Sequence, residues 1–338
     1  LLGIEQFDEI DMTAPVLAGI VRNLAEGFSA AGVWTALGTF AISDMFDRAG
    51  VPSHARAGFA AETSLICAGP VLDSARFGWP DEEQIGDVGT DLLNQLQASL
   101  GVRFHKTSTA LWSGHAGVGD AILLAAHLLG QGQCPRVLVM GADTLADMDS
   151  VKWLESDGRL KTEEMPIGLC PGEAAGCALL ETVRSAQIRG SSARAAIAGC
   201  AARAPEVLIE SESFVAARIA AASVIGKSIA ATVSQALQQA RVPLPFTGDL
   251  FVDLNGEEWR AAAWGYAQVA LRDSVDFDRS NVIVPAASFA EIGAASGFAA
   301  LCAAGEAMAR RYARGPHALI CSLADSGRVS AFVLAARA

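Results

Sequence analysis

"GHAGVGDAILLAAHLLGQGQCPRVLVMGADT" (residues 114–144) sets an apolar, small-residue segment ahead of a β-branched run ending in Gly-Ala-Asp-Thr. The first part carries Ala and Gly on every face, which suits a helix buried between other elements and gains nothing on a surface. The second part, "RVLVM" (136–140), reads as a buried strand. The same order returns near the C-terminus. "GAASGFAALCAAGEAM" (293–308) leads, after "ARRYARGP", into "HALICSLADSG" (317–327). The separation of Gly114 from Val137 nearly equals that of Gly293 from Ala318. Each copy is followed by one more apolar strand, "GCALLE" (176–181) or "SAFVLAA" (330–336). A duplicated unit follows from this.

Working outward, "DLFVDL" (249–254) and "NVIVPA" (281–286) are further strands, and helices are expected over 14–28, 32–49, 88–101, 116–130, 214–240, 257–272 and 294–314. Strands alternating with long helices predict an α/β fold with largely parallel sheets. The crossing between halves is expected in "SAQIRGSSARA" (185–195), giving an N-terminal half 1–188 and a C-terminal half 189–338.

The 338 residues suffice for a large core, and 51% hydrophobic with 18% charged content is that of a globular chain. A net charge of −12 argues against nucleic acid as a partner, since phosphates call for a basic stripe. The seven cysteines and five histidines lie apart, without metal-ligand spacing, so no metal and no cofactor is expected. Free buried thiols point to a reducing, cytoplasmic setting. No apolar run of membrane length lacks a charge and no signal peptide is visible, so no membrane association is expected. The chain begins at Leu1 instead of Met, which points to further sequence upstream.

"LLAAHLLGQGQCPRVLVMGADT" (123–144), "PIGLCPGEAAGCALLE" (166–181), "FAEIGAASGFAAL" (289–301) and "DSGRVSAFVL" (325–334) together resemble, in that order, segments of the β-ketoacyl synthase branch of the thiolase superfamily. The resemblance covers about Gln97 to the C-terminus. It implies a thiolase-like duplicated fold, layered α-β-α-β-α, and a dimer with itself or with a related subunit. It also implies a Cys-His-His site, with the cysteine heading the buried helix. Counting back from Gly141-Ala142-Asp143 places His115 in the cysteine column, and similar counting within "DLNGEEWRA" and "FAEIGAASG" places Asn255 in the first histidine column and Glu291 in the second. All three depart from the pattern, and no histidine occurs in 128–316.

Each departure has a functional and a plain reading. His115 is a base or nucleophile beside Ser113, or a neutral hydrogen-bonding residue, because a helix N-terminus and burial disfavour imidazolium. A nearby Glu291 carboxylate would instead favour it and join His115 and Asn255 in a catalytically quiet polar cluster. In "DLNGEEWRAAAWG" (253–265) the crowding of Asp253, Asn255, Glu257, Glu258 and Arg260 at a strand-to-helix junction suits a ligand site. It also suits an Asn-Gly turn with acids in the first helical turn and Arg260 as ion-pair partner. Glu291, three residues after Ser288, has capping-box spacing, the alternative being a buried acid or base. Cys67, Cys134, Cys177, Cys200, Cys302 and Cys321 read as core. "ASVIGKS" (222–228) imitates the end of a phosphate-binding loop but falls within an expected helix.

Two functions are thus expected as alternatives. One is a non-catalytic relative that binds a ligand or partner, as chain-length-factor subunits do, or serves secretion as do ketosynthase-like proteins beside type VI effector genes, which "DLNGE…W" resembles. Its partners would be a related subunit, an acyl thioester or a secreted effector. The other is an acyltransferase or hydrolase with a site rebuilt from Ser113, His115, Asn255 and Glu291.

Overall fold

A computed structural model describes residues 16–25, 27–28, 30–78, 82–204 and 213–336. Among these residues nine strands form two sheets. The first holds β1 (Thr63–Ala68), β2 (Thr109–Leu111), β3 (Arg136–Thr144) and β4 (Glu173–Glu181) in the order β2-β1-β3-β4. The second holds β5 (Ala195–Arg203), β6 (Asp249–Val252), β7 (Asn281–Ile283), β8 (His317–Leu323) and β9 (Val329–Ala336) in the order β5-β9-β8-β6-β7. The central pairings are parallel. β4 runs antiparallel to β3, as β9 does to β8, so the two halves repeat one topology.

Residue alternation along the strands builds the layers. Leu65 and Cys67 of β1 face one side, with Leu138 and Met140 of β3, and pack under helices Ala31–Arg48 and Glu82–Leu100. Ile66, Ala68, Val137 and Val139 face the other side and meet the two buried helices, Gly117–Gly130 and Ser296–Ala309. Those helices lie in turn on Ala318, Ile320, Phe332 and Leu334 of the second sheet. The opposite face of that sheet, with Leu319, Cys321 and Val333, is covered by helices Phe214–Ala240 and Glu258–Leu271. The order is α-β-α-β-α. Strands buried on both faces have no polar alternation, and hence read as continuous apolar runs.

The small residues of the middle layer permit its closeness. A Cβ on Gly119 would lie 2.2 Å from the Ser330 Cβ, and one on Gly297 would lie 2.3 Å from a Val118 methyl. Gly226 of "ASVIGKS" is accounted for in the same way. It sits inside helix Phe214–Ala240, where a Cβ would meet the Ala263 carbonyl at 2.6 Å, so this segment is a helix crossing and not a phosphate loop. That helix is long and apolar enough to cross a membrane by composition, yet it packs against β5, β9 and its neighbour helix.

Several expectations need correction. The helix expected over 14–28 is absent from its described residues 16–25 and 27–28. Gly19 there forms a bridge with Gly172, its N–H donating to Pro171 O at 2.9 Å and its carbonyl accepting from Glu173 N at 2.9 Å. Sheet-like pairing to a distant segment outweighs local apolar periodicity in this stretch. Strands β1, β2 and β5 were not expected. β2 is a short strand inside what reads as the approach to a helix, and β5, "AAIAGCAAR", is built from residues of low β-propensity. Cys302 is exposed on its helix and Cys177 half-buried, so neither belongs to the fully buried core, unlike Cys67, Cys134, Cys200 and Cys321.

Candidate functional site

Two short 3₁₀ turns, Gly114–Ala116 and Gly293–Ala295, head the two buried helices. Each starts on a left-handed glycine, at φ +56° for Gly114 and +54° for Gly293. The second turn has no room for a side chain. A Cβ on Gly293 would stand 2.0 Å from Asp143 Oδ2, which accepts the Ala294 N–H at 2.9 Å.

His115 in the first turn and Glu291 just before the second face each other across the middle layer. The two residues are 6% and 4% exposed, and His115 Nε2 lies 2.7 Å from Glu291 Oε1. Asn255, just after β6, donates through Nδ2 to Glu291 Oε2 at 2.7 Å and to Glu257 Oε2 at 2.9 Å. Its Oδ1 accepts the Glu257 N–H at 3.1 Å. The Glu291 carboxylate also accepts the Gly293 N–H at 2.8 Å. Three of the residues predicted for the site therefore form one cluster, joined across wide separations in sequence.

Burial works against charge on His115, but the negative charge of Glu291 and its hydrogen bond outweigh it. The imidazole is raised to about 9. Burial likewise opposes the Glu291 carboxylate, while His115, Arg260 and the Asn255 amide hold it down at about 2. At neutral pH the pair is imidazolium and carboxylate, and the helix-terminus argument for a neutral histidine loses to the adjacent acid. The capping-box expectation fails as well. Glu291 spends its oxygens on His115, Asn255 and the Gly293 N–H, and Ser288 lies in a separate turn, Ala286–Phe289.

Ser113 stays outside the cluster. It is half-buried at the N-cap of the first turn, and among the described residues no hydrogen bond joins it to His115.

Around the cluster lies an arginine network for which the sequence offers little local signal. Arg159 grips Glu257 with two bonds, Nε to Oε1 at 2.7 Å and Nη2 to Oε2 at 3.1 Å, and its Nη1 is 2.9 Å from Asp325 Oδ2. Arg260 closes the ring, donating to Asp325 Oδ1 at 2.6 Å, to Glu257 Oε2 at 3.3 Å and to the Leu323 carbonyl at 2.5 Å. On the other side Arg76 donates to Asp143 Oδ1 at 3.0 Å, to Ser150 Oγ at 2.9 Å and to the Thr144 carbonyl. The Ala-Asp pair at the C-terminal end of β3, Ala142-Asp143, and the one just past β8, Ala324-Asp325, thus serve an arginine in both halves. The structural reading of the 253–265 segment holds, since Asn255 builds the turn, Glu257 takes the N-cap position of the helix, and Arg260 is an ion-pair partner.

The cluster opens on a cavity of about 230 Å³. His115, Glu291, Asp143 and Arg76 form one side, Leu145, Leu154 and Leu169 contribute to the apolar wall, and Trp153 and Phe214 add aromatic faces. Among the described residues no cysteine lines it, and Ser113 and Asn255 do not reach it either. No group of three or more metal-ligating side chains occurs among the described residues.

No protein-family model matches the chain, and no curated protein matches it in sequence. Solved structures do match in shape. A type II PKS acyl-carrier protein in complex with its ketosynthase bound to the hexaketide (AntDE:AntF) matches with a TM-score of 0.72 and 14% identity, over 95% of this chain and 88% of that one. The oxazolomycin ketosynthase domain OzmH KS7 of Streptomyces albus JA3453 matches at 0.65 and 15% identity, over 90% of this chain. Here the alignment spans only 59% of the other chain's length. The ishigamide ketosynthase/chain length factor matches at 0.58 and 17% identity, over 82% of this chain and 74% of that one. At such identities the likeness is one of architecture: this chain carries the thiolase-like fold found in ketosynthases of polyketide synthases.

Proposed function

We propose that the protein is a catalytically degenerate β-ketoacyl synthase-like subunit, which keeps the fold as a binding or partner protein and has lost Cys-His-His condensation. One observation carries this reading. The head of the first buried helix, where the resemblance calls for a thiolate, holds the His115–Glu291 ion pair at 2.7 Å. An imidazolium that keeps its proton to about 9 is neither nucleophile nor base at neutral pH. With no bond from Ser113 to His115, that imidazole does not activate the serine hydroxyl, and among the described residues no other base is bonded to it. A carboxylate in one histidine column and an amide in the other remove the two imidazoles that condensation uses.

A partner role within a ketosynthase assembly is the form of this reading that solved neighbours support. They include a ketosynthase/chain length factor pair and a ketosynthase complex with an acyl-carrier protein. A role beside secreted effectors rests on the "DLNGE…W" resemblance alone.

The test is acylation. After incubation with acyl-CoA or an acylated carrier protein, the intact mass is expected to stay unchanged. A stable acyl adduct on the peptide 108–129 would instead establish the rebuilt Ser113–His115 site and end the degenerate reading.

A further inference from the structure

In the cavity beside the His115–Glu291 pair nearly every charge is answered, and the exception is Arg218. Arg76 has Asp143, His115 has Glu291, and Arg159 has Glu257 and Asp325. Asp73 caps the Ala75 N–H at the exposed rim. Arg218 lines the same cavity from the first turns of helix Phe214–Ala240, and no hydrogen bond or ion pair satisfies it among the described residues. Its Nε is shut off from solvent and without a partner, while its guanidinium rests 5.0 Å from the centre of the Phe214 ring. The side chain is half-buried, so this charge is partly desolvated without a partner in contact. Such a group is costly until an anion meets it.

The size and charge of the space narrow the ligand. An apolar cavity of about 150 Å³ suffices for benzene. The cavity here, about 230 Å³, therefore takes a ring with a short polar appendage. Trp153 and Phe214 offer aromatic faces, and Leu145, Leu154 and Leu169 offer apolar ones. Asp143, Glu291 and Asp325 also border the space. A dianion such as phosphate would meet these three carboxylates, and Asp73 at the rim, with one free cation among the described residues to hold it. A monoanion matches the single open guanidinium, and a carboxylate matches its planar fork.

We propose that this cavity binds a small apolar monocarboxylate, an aryl or short-chain acid, with Arg218 as its anchor. The inference rests on reading the cavity as a binding site and gives that site a ligand class. The experiment therefore measures binding and not turnover. Titration calorimetry with benzoate is expected to show one saturable site. Arg218→Gln should weaken it about tenfold or more, and Arg218→Lys should retain part of the affinity. Benzamide, of the same shape without the charge, should bind at least tenfold more weakly than benzoate, and inorganic phosphate should not compete. Arg218 is half-exposed and, apart from its contact with the Phe214 ring, makes no hydrogen bond or ion pair among the described residues, so the variants are expected to fold, which thermal melting checks. Equal binding of benzamide and benzoate, unchanged affinity in Arg218→Gln, or no benzoate binding at millimolar concentration each overturns the proposal. Acylation in the mass experiment, by contrast, would end the degenerate reading and leave Arg218-dependent benzoate binding standing.

Discussion

Glu291→Gln tests the electrostatics of the cluster with an almost unchanged shape. In the native protein His115 rises from 6.5 to about 9, which corresponds to about 3 kcal/mol of stabilisation from the neighbouring carboxylate. A raised folded-state value means that this contribution is complete below 6.5 and fades as pH climbs through about 9. Glu291, held at about 2 against 4.5, shows the acid side of the same coupling: complete above 4.5 and lost as pH falls towards 2. The pair therefore contributes most between about 4.5 and 6.5. The amide cannot satisfy all donors that now converge on the carboxylate from His115, Asn255 and Gly293, which adds about 1–2 kcal/mol at any pH. Urea unfolding should show Glu291→Gln destabilised by about 3–5 kcal/mol at pH 6 and by only about 1–2 kcal/mol at pH 10. Histidine NMR supplies a second reading. One of the five imidazoles should titrate near 9 in the native protein and below 6.5 in the variant, where burial and Arg260 are opposed by Asp253 without Glu291. A destabilisation equal at both pH values, or a native His115 that titrates at or below 6.5, would refute the reasoning.

Three further outcomes follow from the same geometry. Asn255→Ala removes two donated bonds and the Glu257 N–H acceptor. Thermal or denaturant unfolding should show a loss of about 1.5 kcal/mol, the usual cost of a cap or turn hydrogen bond. Gly293→Ala combines a left-handed φ with a Cβ driven against Asp143. A loss of about 2–5 kcal/mol is expected in denaturant titration. His115→Cys should show no condensing activity with acyl and malonyl thioesters, because Asn255 and Glu291 stand where the supporting imidazoles belong. Detectable product would mean that the rest of the site is competent.

What the chain order alone could decide was whatever depends on neighbours in sequence. The Ala- and Gly-rich helices at 117–130 and 296–309 and the apolar strands β3, β8 and β9 are written in local periodicity, and their recurrence reveals the duplication. The resemblance built on those segments also placed His115, Asn255 and Glu291 in one site, and the fold does bring them together. Local pattern failed where distant partners decide. Residues 16–25 are apolar enough for a helix, but Gly19 pairs with Gly172, and the alanines of β5 are held in a strand by β9. Charge was the least legible property. Whether His115 carries a proton depends on Glu291, in the other half of the chain, since burial and a nearby carboxylate push its affinity in opposite directions. The arginines were equally silent, because Arg76, Arg159 and Arg218 lie in ordinary surroundings along the chain. Only folding brings Asp143 and Asp325 to the first two and leaves the third facing an open cavity. Coulomb forces act through space, across segments that sequence keeps apart.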